Sequence, residues 1–314
     1  MSEYLVTDVT DGIARITLNR PNAINALDDS MMNAMYEALA TWSKDDTVTA
    51  VEIAGNGERG FCAGADVRTL AGLVADGGPW LHFLETEYAL DMMIANYPKP
   101  VTSYMRGITM GGGLGLGGHA DRRIVYSDTV MAMPETKIGF FPDVGIMYQL
   151  SRAGAVGRHI AMTSATFTGG DALLLNLADE SADGPLPAPL FDGSNAWIEE
   201  CYASDDPVEI VKALESHPDE NARQAGRDLR ARSPFAVFVT LRALIRAQKL
   251  QLSEVLDQDL RLAEGMIPMG DFVEGVRALL IDKDNDPHWR YATLEEVPVE
   301  EVDKVFSYRS SWQR

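Results

Sequence analysis

A glycine cluster at residues 111–118 constrains the fold more than any other part of the sequence, since six of its eight residues are glycine. Glycine adopts positive φ angles at little cost and lets another backbone or a ligand approach closely. If a helix begins inside the cluster, its unpaired N–H groups can bind an anion or stabilise an oxyanion. The run from Gly113 to Gly118 also fits the G-x-G-x-x-G pattern of dinucleotide-binding turns. A third interpretation is that the glycines only permit close helix packing, and the cluster alone leaves all three open.

The rest of the chain alternates strand and helix signals. Apolar residues at every second position predict a half-buried strand at residues 13–19. Asp28 and Asp29 lie where a helix cap is expected, and apolar spacing predicts a helix through Trp42. Similar signals predict strands at residues 48–54, 101–104 and 124–126, and helices from residue 67 and at residues 81–96, 153–161, 207–214 and 222–232. This order is typical of an α/β protein.

The character of the sequence changes after Asp143, where helical signals dominate and strand signals become scarce. The Pro-rich stretch at residues 182–189 is the best candidate for a hinge. We therefore predict a core at residues 1–182 and a helical C-terminal region at residues 190–314.

Composition restricts the classes of function. With 27 basic and 47 acidic side chains, the net charge of −20 argues against binding to nucleic acid or an anionic membrane. The sequence has no run of about 18 apolar residues, so we predict no membrane span. The first residues resemble neither a signal peptide nor a transit peptide, so we expect a cytoplasmic protein. Cys62 and Cys201 are too few for a disulfide framework, and the five histidines show no metal-ligand spacing.

A second loop rich in small residues, Ala63-Gly64-Ala65-Asp66, joins a predicted strand to a predicted helix. If this loop and the glycine cluster converge, two backbone N–H groups could stabilise negative charge on a carbonyl oxygen without a titratable group. The alternative is an ordinary helix start that Asp66 caps. Spacing alone favours neither interpretation.

Two carboxylates, Glu135 and Asp143, stand eight residues apart among apolar residues. Apolar surroundings disfavour the charged form of a carboxylate and raise its pKa, which suits an acid or base near neutral pH. However, Glu135 follows Pro134 as a first-turn helix acid would, and Asp143 follows Pro142 as a turn residue would. Spacing alone favours this solvated interpretation for each residue.

Several motifs together resemble the crotonase (enoyl-CoA hydratase/isomerase) superfamily. They are I-T-L-N-R-P at 16–21, N-A-L at 25–27, F-C-A-G-A-D at 61–66, G-I-T-M-G-G-G at 107–113 and M-P-E-T at 133–136. The resemblance implies a spiral of ββα units followed by a helical region, an acyl-CoA substrate, and no metal or redox cofactor. It also implies an oxyanion hole formed by the N–H groups of Ala65 and Gly112, with Ala63, Asp66 and Gly111 beside the substrate.

One departure from the usual motif of the superfamily indicates the subfamily. Typical enoyl-CoA hydratases carry a catalytic Glu where this chain has Gly115, whereas their second acid matches Glu135. The runs G-F-F-P-D-V-G at 139–145 and G-D-F-V-E-G-V-R-A-L-L-I-D-K-D at 270–284 look like the 3-hydroxyisobutyryl-CoA hydrolases. In that group the matching Glu and Asp form the working pair, here Glu135 and Asp143, and Glu87 matches a substrate-contacting Glu.

The resemblance implies hydrolysis of a short, branched β-hydroxyacyl-CoA thioester, a reaction of valine degradation, by a protein that could form homo-oligomers. Asn22 replaces a Lys often found at this motif, so Arg20, Arg59 and Arg68 are candidates to contact the CoA nucleotide. The main alternative is hydratase or isomerase chemistry without thioester cleavage. Two further alternatives are a nucleotide-binding oxidoreductase built on the glycine cluster and a CoA-binding protein without activity.

Overall fold

A computed structural model describes residues 2–308 of the chain. Its strands are β1 (Leu5–Thr10), β2 (Ile13–Leu18), β3 (Ala50–Gly55), β4 (Gly60–Cys62), β5 (Val101–Met105), β6 (Ile108–Met110), β7 (Arg122–Val125), β8 (Val130–Ala132), β9 (Phe167–Thr168) and β10 (Glu180–Ser181). Its α-helices are α1 (Asp29–Trp42), α2 (Val67–Ala75), α3 (Trp80–Ala95), α4 (Gly112–Gly118), α5 (Met147–Leu150), α6 (Gly154–Thr163), α7 (Gly169–Leu174), α8 (Ala196–Cys201), α9 (Pro207–Ser216), α10 (Glu220–Arg230), α11 (Pro234–Ala247), α12 (Leu252–Met266), α13 (Asp271–Val276) and α14 (Val299–Phe306).

The described chain divides into two compact units, each of which gathers three separate segments. Unit 1 contains residues 2–66, 82–132 and 166–190, and unit 2 contains residues 67–81, 133–165 and 191–308. The division into two domains at residues 1–182 and 190–314 stays a prediction.

Unit 1 holds both sheets. The larger has the strand order β1-β2-β3-β5-β7-β10, and only its β1–β2 pair is antiparallel. The smaller has the order β4-β6-β8-β9, in which β4, β6 and β8 run parallel. Because parallel strands end at the same edge of a sheet, the loops after β4 and β6 lie side by side.

Local sequence signals account for the first elements of unit 1. Ala14, Ile16 and Leu18 are buried on one face of β2, as their alternation predicts. The Asp28 side chain accepts a hydrogen bond of 2.9 Å from the Met31 N–H and so caps α1, as predicted. The side chain satisfies a backbone donor that has no partner within the helix.

Unit 2 is helical in its described part. An apolar core joins α6, α8, α9, α10 and α11. At its edge the His159 ring packs edge-on against Trp197, Tyr202 and Phe191, and His159 Nδ1 lies 2.9 Å from the Tyr202 hydroxyl. Burial disfavours the imidazolium and lowers the pKa of His159 to about 4.

Because His159 is buried in its neutral form, we expect the folded protein to lose stability in mild acid. The unfolded chain, in which the pKa of His159 returns to 6.5, binds the proton more readily than the folded chain does. The free energy of unfolding should therefore fall as the pH drops below about 6.5, by about 2 kcal/mol at pH 5. Urea unfolding of the natural protein and of His159→Gln at pH 7.5 and pH 5 measures the effect. His288→Gln, at an exposed position, is the control. An equal pH dependence in the natural protein and His159→Gln would contradict the assignment.

No helix within residues 2–308 combines the length and the apolar character that crossing a membrane requires.

Candidate active site

In unit 1, the loop after β4 and the glycine cluster after β6 come into contact, as the first interpretation of the glycines requires. Gly64 has a φ of 98°, and a Cβ atom there would lie 2.9 Å from the Met110 carbonyl oxygen and 3.1 Å from the Gly112 nitrogen. Only glycine fits both the conformation and the space. A Cβ atom on Gly112 would lie 3.3 Å from the Ala65 nitrogen. The backbone nitrogens of Ala65 and Gly112 are therefore near neighbours.

The bridge that pairs Ala65 with Leu27 does not use the N–H group of Ala65. Leu27 pairs with Ala65 in an isolated bridge whose hydrogen bonds run from the Leu27 N–H to the Gly64 carbonyl and from the Asp66 N–H to the Leu27 carbonyl. Gly112 is the first residue of α4, where an N–H has no acceptor within the helix. Two backbone donors close together can stabilise negative charge on a carbonyl oxygen, which is the chemistry predicted for these two loops.

The glycine cluster itself serves two purposes. Gly112 makes room for Glu87, because a Cβ atom on Gly112 would overlap Glu87 Oε1. Gly113 and Gly117 instead allow close packing of α4 against Cys62 and Met105. The G-x-G-x-x-G run lies wholly inside the buried helix α4, so the nucleotide-binding interpretation is wrong.

Glu87 lies on α3 with 1% of its surface exposed, and Asp91 follows one turn later at 0%. Burial raises the pKa of the Cys62 thiol to about 12, and the charges of Glu87 and Asp91 add to the effect. The Cys62 thiol therefore stays protonated beside these acids. Asp91 was missed from the sequence, although its i+4 spacing from Glu87 on the buried face of α3 could have indicated it.

The other predicted substrate-binding residues of unit 1 hold the loops in place. The Ala63 N–H donates to the Ile24 carbonyl at 2.8 Å, and the Gly111 N–H donates to the Ala132 carbonyl at 3.3 Å. Asp66 forms an ion pair of 2.8 Å with Arg20. Arg20 is thus bound to Asp66, while the Arg59 guanidinium donates to the Asn22 carbonyl oxygen at 3.4 Å.

Glu135 and Asp143 both belong to unit 2. Glu135 begins a 3₁₀ turn, Glu135–Ile138, and is 7% exposed, as is Asp143. The solvated interpretation of these two carboxylates is therefore wrong. Their burial depends on packing against residues far away in the sequence, which spacing along the chain does not reveal.

The C-terminal motif at residues 270–284 explains part of that packing. A Cβ atom on Gly139 would overlap the Asp271 backbone, and one on Gly275 would overlap Ile138. The start of α13 thus lies directly against the turn that begins with Glu135. Asp271 also accepts a hydrogen bond of 2.7 Å from the Ser233 hydroxyl, which ties α11 to the same region.

Asp259 is a further buried acid of unit 2 that sequence reasoning missed. Its carboxyl group accepts a hydrogen bond of 2.9 Å from the Gly145 N–H, two residues after Asp143. Asp259 shares one face of α12 with Val255, Leu262 and Met266, all buried. A carboxylate on an apolar helical stripe was the signal that could have found it.

Comparison with known proteins places the chain among acyl-CoA enzymes. A family model described as Enoyl-CoA hydratase/isomerase matches residues 13–185 and 182–306. The mitochondrial 3-hydroxyisobutyryl-CoA hydrolase of Gallus gallus is 35% identical over 94% of this chain and 86% of its own length. The corresponding Homo sapiens protein is 32% identical over 93% of this chain and 85% of its own length.

Solved structures share the fold. A carnitinyl-CoA dehydratase from Mycobacterium thermoresistibile has a TM-score of 0.94 at 40% identity and covers 99% of this chain and 98% of its own. An enoyl-CoA hydratase from Rhodobacter sphaeroides 2.4.1 has a TM-score of 0.93 at 34% identity and covers 98% of each chain. These findings confirm the predicted α/β crotonase fold with a helical C-terminal region and the resemblance to 3-hydroxyisobutyryl-CoA hydrolases. The chain belongs to the enoyl-CoA hydratase/isomerase, or crotonase, family.

Proposed function

We propose that the protein hydrolyses the thioester of a short, branched β-hydroxyacyl-CoA such as 3-hydroxyisobutyryl-CoA. Relatives that are 32–35% identical over 93–94% of the chain bear the name of that hydrolase. At this identity and coverage, a shared type of reaction is the simplest expectation.

Gly115 is the observation that carries the proposal. It is buried inside α4, at the position where the resemblance places a catalytic Glu in typical hydratases. Glycine has no side chain to donate or accept a proton. Hydration by two acids therefore lacks one of its members here, whereas Glu135 and the additional acid Asp143 match the hydrolase pair.

In the proposed mechanism, the N–H groups of Ala65 and Gly112 bind the thioester oxygen and stabilise its negative charge in the tetrahedral state. Glu135 drives the attack, either by adding to the carbonyl carbon or by removing a proton from a water that adds there. Collapse of the tetrahedral state breaks the C–S bond and releases the CoA thiolate. If Glu135 has added, water then cleaves the anhydride between the acyl group and Glu135, which frees the acid and regenerates the carboxylate. If water has added, the acid forms directly and the proton held by Glu135 passes to the thiolate. Both versions need the Glu135 carboxylate at the same place.

Two other acids are proposed to select the acyl group of the substrate. Asp143 would hold the β-hydroxyl of the substrate or orient water, and Glu87 would line the acyl pocket beside Gly112. Ala63, Asp66 and Gly111 would shape the loops that carry the two N–H donors. A cytoplasmic location, a reaction without a cofactor beyond coenzyme A, and a homo-oligomer remain predictions.

The second candidate is hydratase or dehydratase chemistry on an acyl-CoA without thioester cleavage. One observation favours it: the solved structures with TM-scores of 0.94 and 0.93 are titled carnitinyl-CoA dehydratase and enoyl-CoA hydratase.

The two candidates predict different products. We expect the protein to release free CoA thiol from 3-hydroxyisobutyryl-CoA and not to hydrate crotonyl-CoA. A thiol-reactive chromophore measures the first reaction, and loss of the conjugated thioester absorbance measures the second. Hydration without thiol release would reject the hydrolase and favour the second candidate.

A further inference from the structure

The backbone that follows Asp143 adopts an unfavourable conformation. Val144 has a φ of 52° and Gly145 a φ of 72°. Left-handed φ angles suit glycine, but a β-branched residue such as valine adopts them rarely because its side chain crowds the backbone. A strained turn of this kind persists only where the surrounding structure holds it.

Asp259 supplies a contact that holds this turn. Its Oδ2 atom accepts the Gly145 N–H at 2.9 Å across 114 residues of sequence. The side chain is 0% exposed and stands in the middle of α12. At the start of that helix the Gln251 N–H donates a hydrogen bond of 2.8 Å to the Glu254 carboxylate.

The surroundings of Asp259 favour its neutral form. Burial raises its pKa, and the nearby Asp143 raises it further, whereas the hydrogen bond from Gly145 only partly opposes them. Within residues 2–308, the buried Oδ1 atom of Asp259 has no hydrogen-bond partner. A buried carboxylate would need more partners than this single N–H. A neutral carboxyl group can accept the Gly145 N–H without repelling a charge on Asp143.

We propose that Asp259 is a positioning residue: by accepting the Gly145 N–H it fixes the Val144–Gly145 turn and thereby the Asp143 carboxylate that recognises the β-hydroxyl of the substrate. This inference rests on the first of the two functions proposed for Asp143, contact with the β-hydroxyl of the substrate. It adds a third acid to the working pair, one that acts through the backbone without touching the substrate.

The test compares Asp259→Ala, Asp259→Asn and Asp143→Asn on two substrates, 3-hydroxyisobutyryl-CoA and isobutyryl-CoA, which lacks the hydroxyl. Asp259→Ala should lower kcat/KM for the hydroxylated substrate about 100-fold, the cost of a small misplacement. It should change hydrolysis of isobutyryl-CoA less than about threefold, because a group that recognises the β-hydroxyl has nothing to bind in that substrate. Asp143→Asn should show the same selectivity, and the double variant should be no worse than Asp143→Asn alone.

Asp259→Asn is the matched control, since its amide is neutral and still offers an oxygen to the Gly145 N–H. It should retain nearly natural activity on both substrates. Equal losses on both substrates would overturn recognition of the β-hydroxyl through Asp143, and an Asn variant as impaired as the Ala variant would overturn the positioning role of Asp259. If Asp259→Ala does not fold, Asp259→Leu fills the space without an acceptor and replaces it.

Amide hydrogen exchange gives a readout that does not depend on activity. A peptide covering residues 141–150 should exchange faster in Asp259→Ala and at the natural rate in Asp259→Asn. Unchanged exchange in the Ala variant would overturn the role of Asp259 whatever the activity. Absence of thiol release from the natural protein would instead reject the proposed function, while the exchange comparison would still decide whether Asp259 fixes the turn.

Discussion

Replacing Glu135 with Gln is expected to lower kcat for thioester hydrolysis by about 100- to 10,000-fold while acyl-CoA affinity stays near its natural value. Removing a positioned base or nucleophile costs a reaction about two to four orders of magnitude. The amide of Gln has the shape of the carboxyl group but neither attacks a carbonyl nor accepts a proton at neutral pH. Because Glu135 is only 7% exposed, an isosteric change should also preserve the packing of its turn. Thiol release gives kcat, and titration with a non-hydrolysable acyl-CoA analogue gives the affinity.

The control for this change is Glu180→Gln. Glu180 lies on the edge strand β10 and forms an exposed ion pair with Arg122. The control therefore makes the same change, from carboxylate to amide, at a surface position. The control should keep natural kcat. Natural turnover in Glu135→Gln would remove Glu135 from the mechanism and leave the attack on the thioester without its proposed driver.

Gly112→Ala is expected to lower kcat/KM by about 100- to 1,000-fold, as much as the loss of one oxyanion donor costs, because the new methyl group keeps the thioester oxygen away from N–H groups that are themselves unchanged. The new methyl group would overlap Glu87 Oε1 and would lie 3.3 Å from the Ala65 nitrogen. It therefore occupies the space between the two proposed donors. Thiol release measures the loss of activity, and thermal unfolding measures the strain of the overlap.

Two further variants separate these effects. Gly72→Ala adds a methyl group to an exposed position of α2 that has no neighbour within 4 Å. It should stabilise the protein by about 0.5–1 kcal/mol without changing activity, because alanine favours a helix. Combining Gly112→Ala with Glu87→Ala removes the overlap and should restore thermal stability but not turnover. Natural activity in Gly112→Ala would contradict the placement of the thioester oxygen in the space that the new methyl group fills.

The sequence predicted elements whose causes are local. The alternation that predicts β2 and the acid that caps α1 each involve residues within a few positions of one another, so both appear in the structure. The glycine cluster was ambiguous because Gly112 provides room for Glu87, whereas Gly113 provides room for Cys62. Only the three-dimensional structure assigns each glycine to its neighbour.

What could not be predicted depends on distant residues. Glu135 and Asp143 have the local pattern of solvated turn acids, yet both are buried in unit 2. The Ser233–Asp271 hydrogen bond and the Asp259–Gly145 hydrogen bond join residues 38 and 114 positions apart. Periodicity and capping rules describe neighbours along the chain and carry no information about such pairs.

The interleaved segments of the two units determine the order in which a ribosome can supply them. Strand β9 of the smaller sheet and strand β10 of the larger emerge only after residues 133–165, which belong to unit 2. Those residues in turn must wait for residues 191–308 before unit 2 has all its segments. Unpaired strand edges and exposed apolar faces favour aggregation during synthesis. Unit 1 lacks its last segment until residue 190 has been made, and unit 2 stays incomplete for longer still. We therefore expect nascent chains that stop before residue 167 to depend on chaperones, because at that length each sheet still lacks one strand.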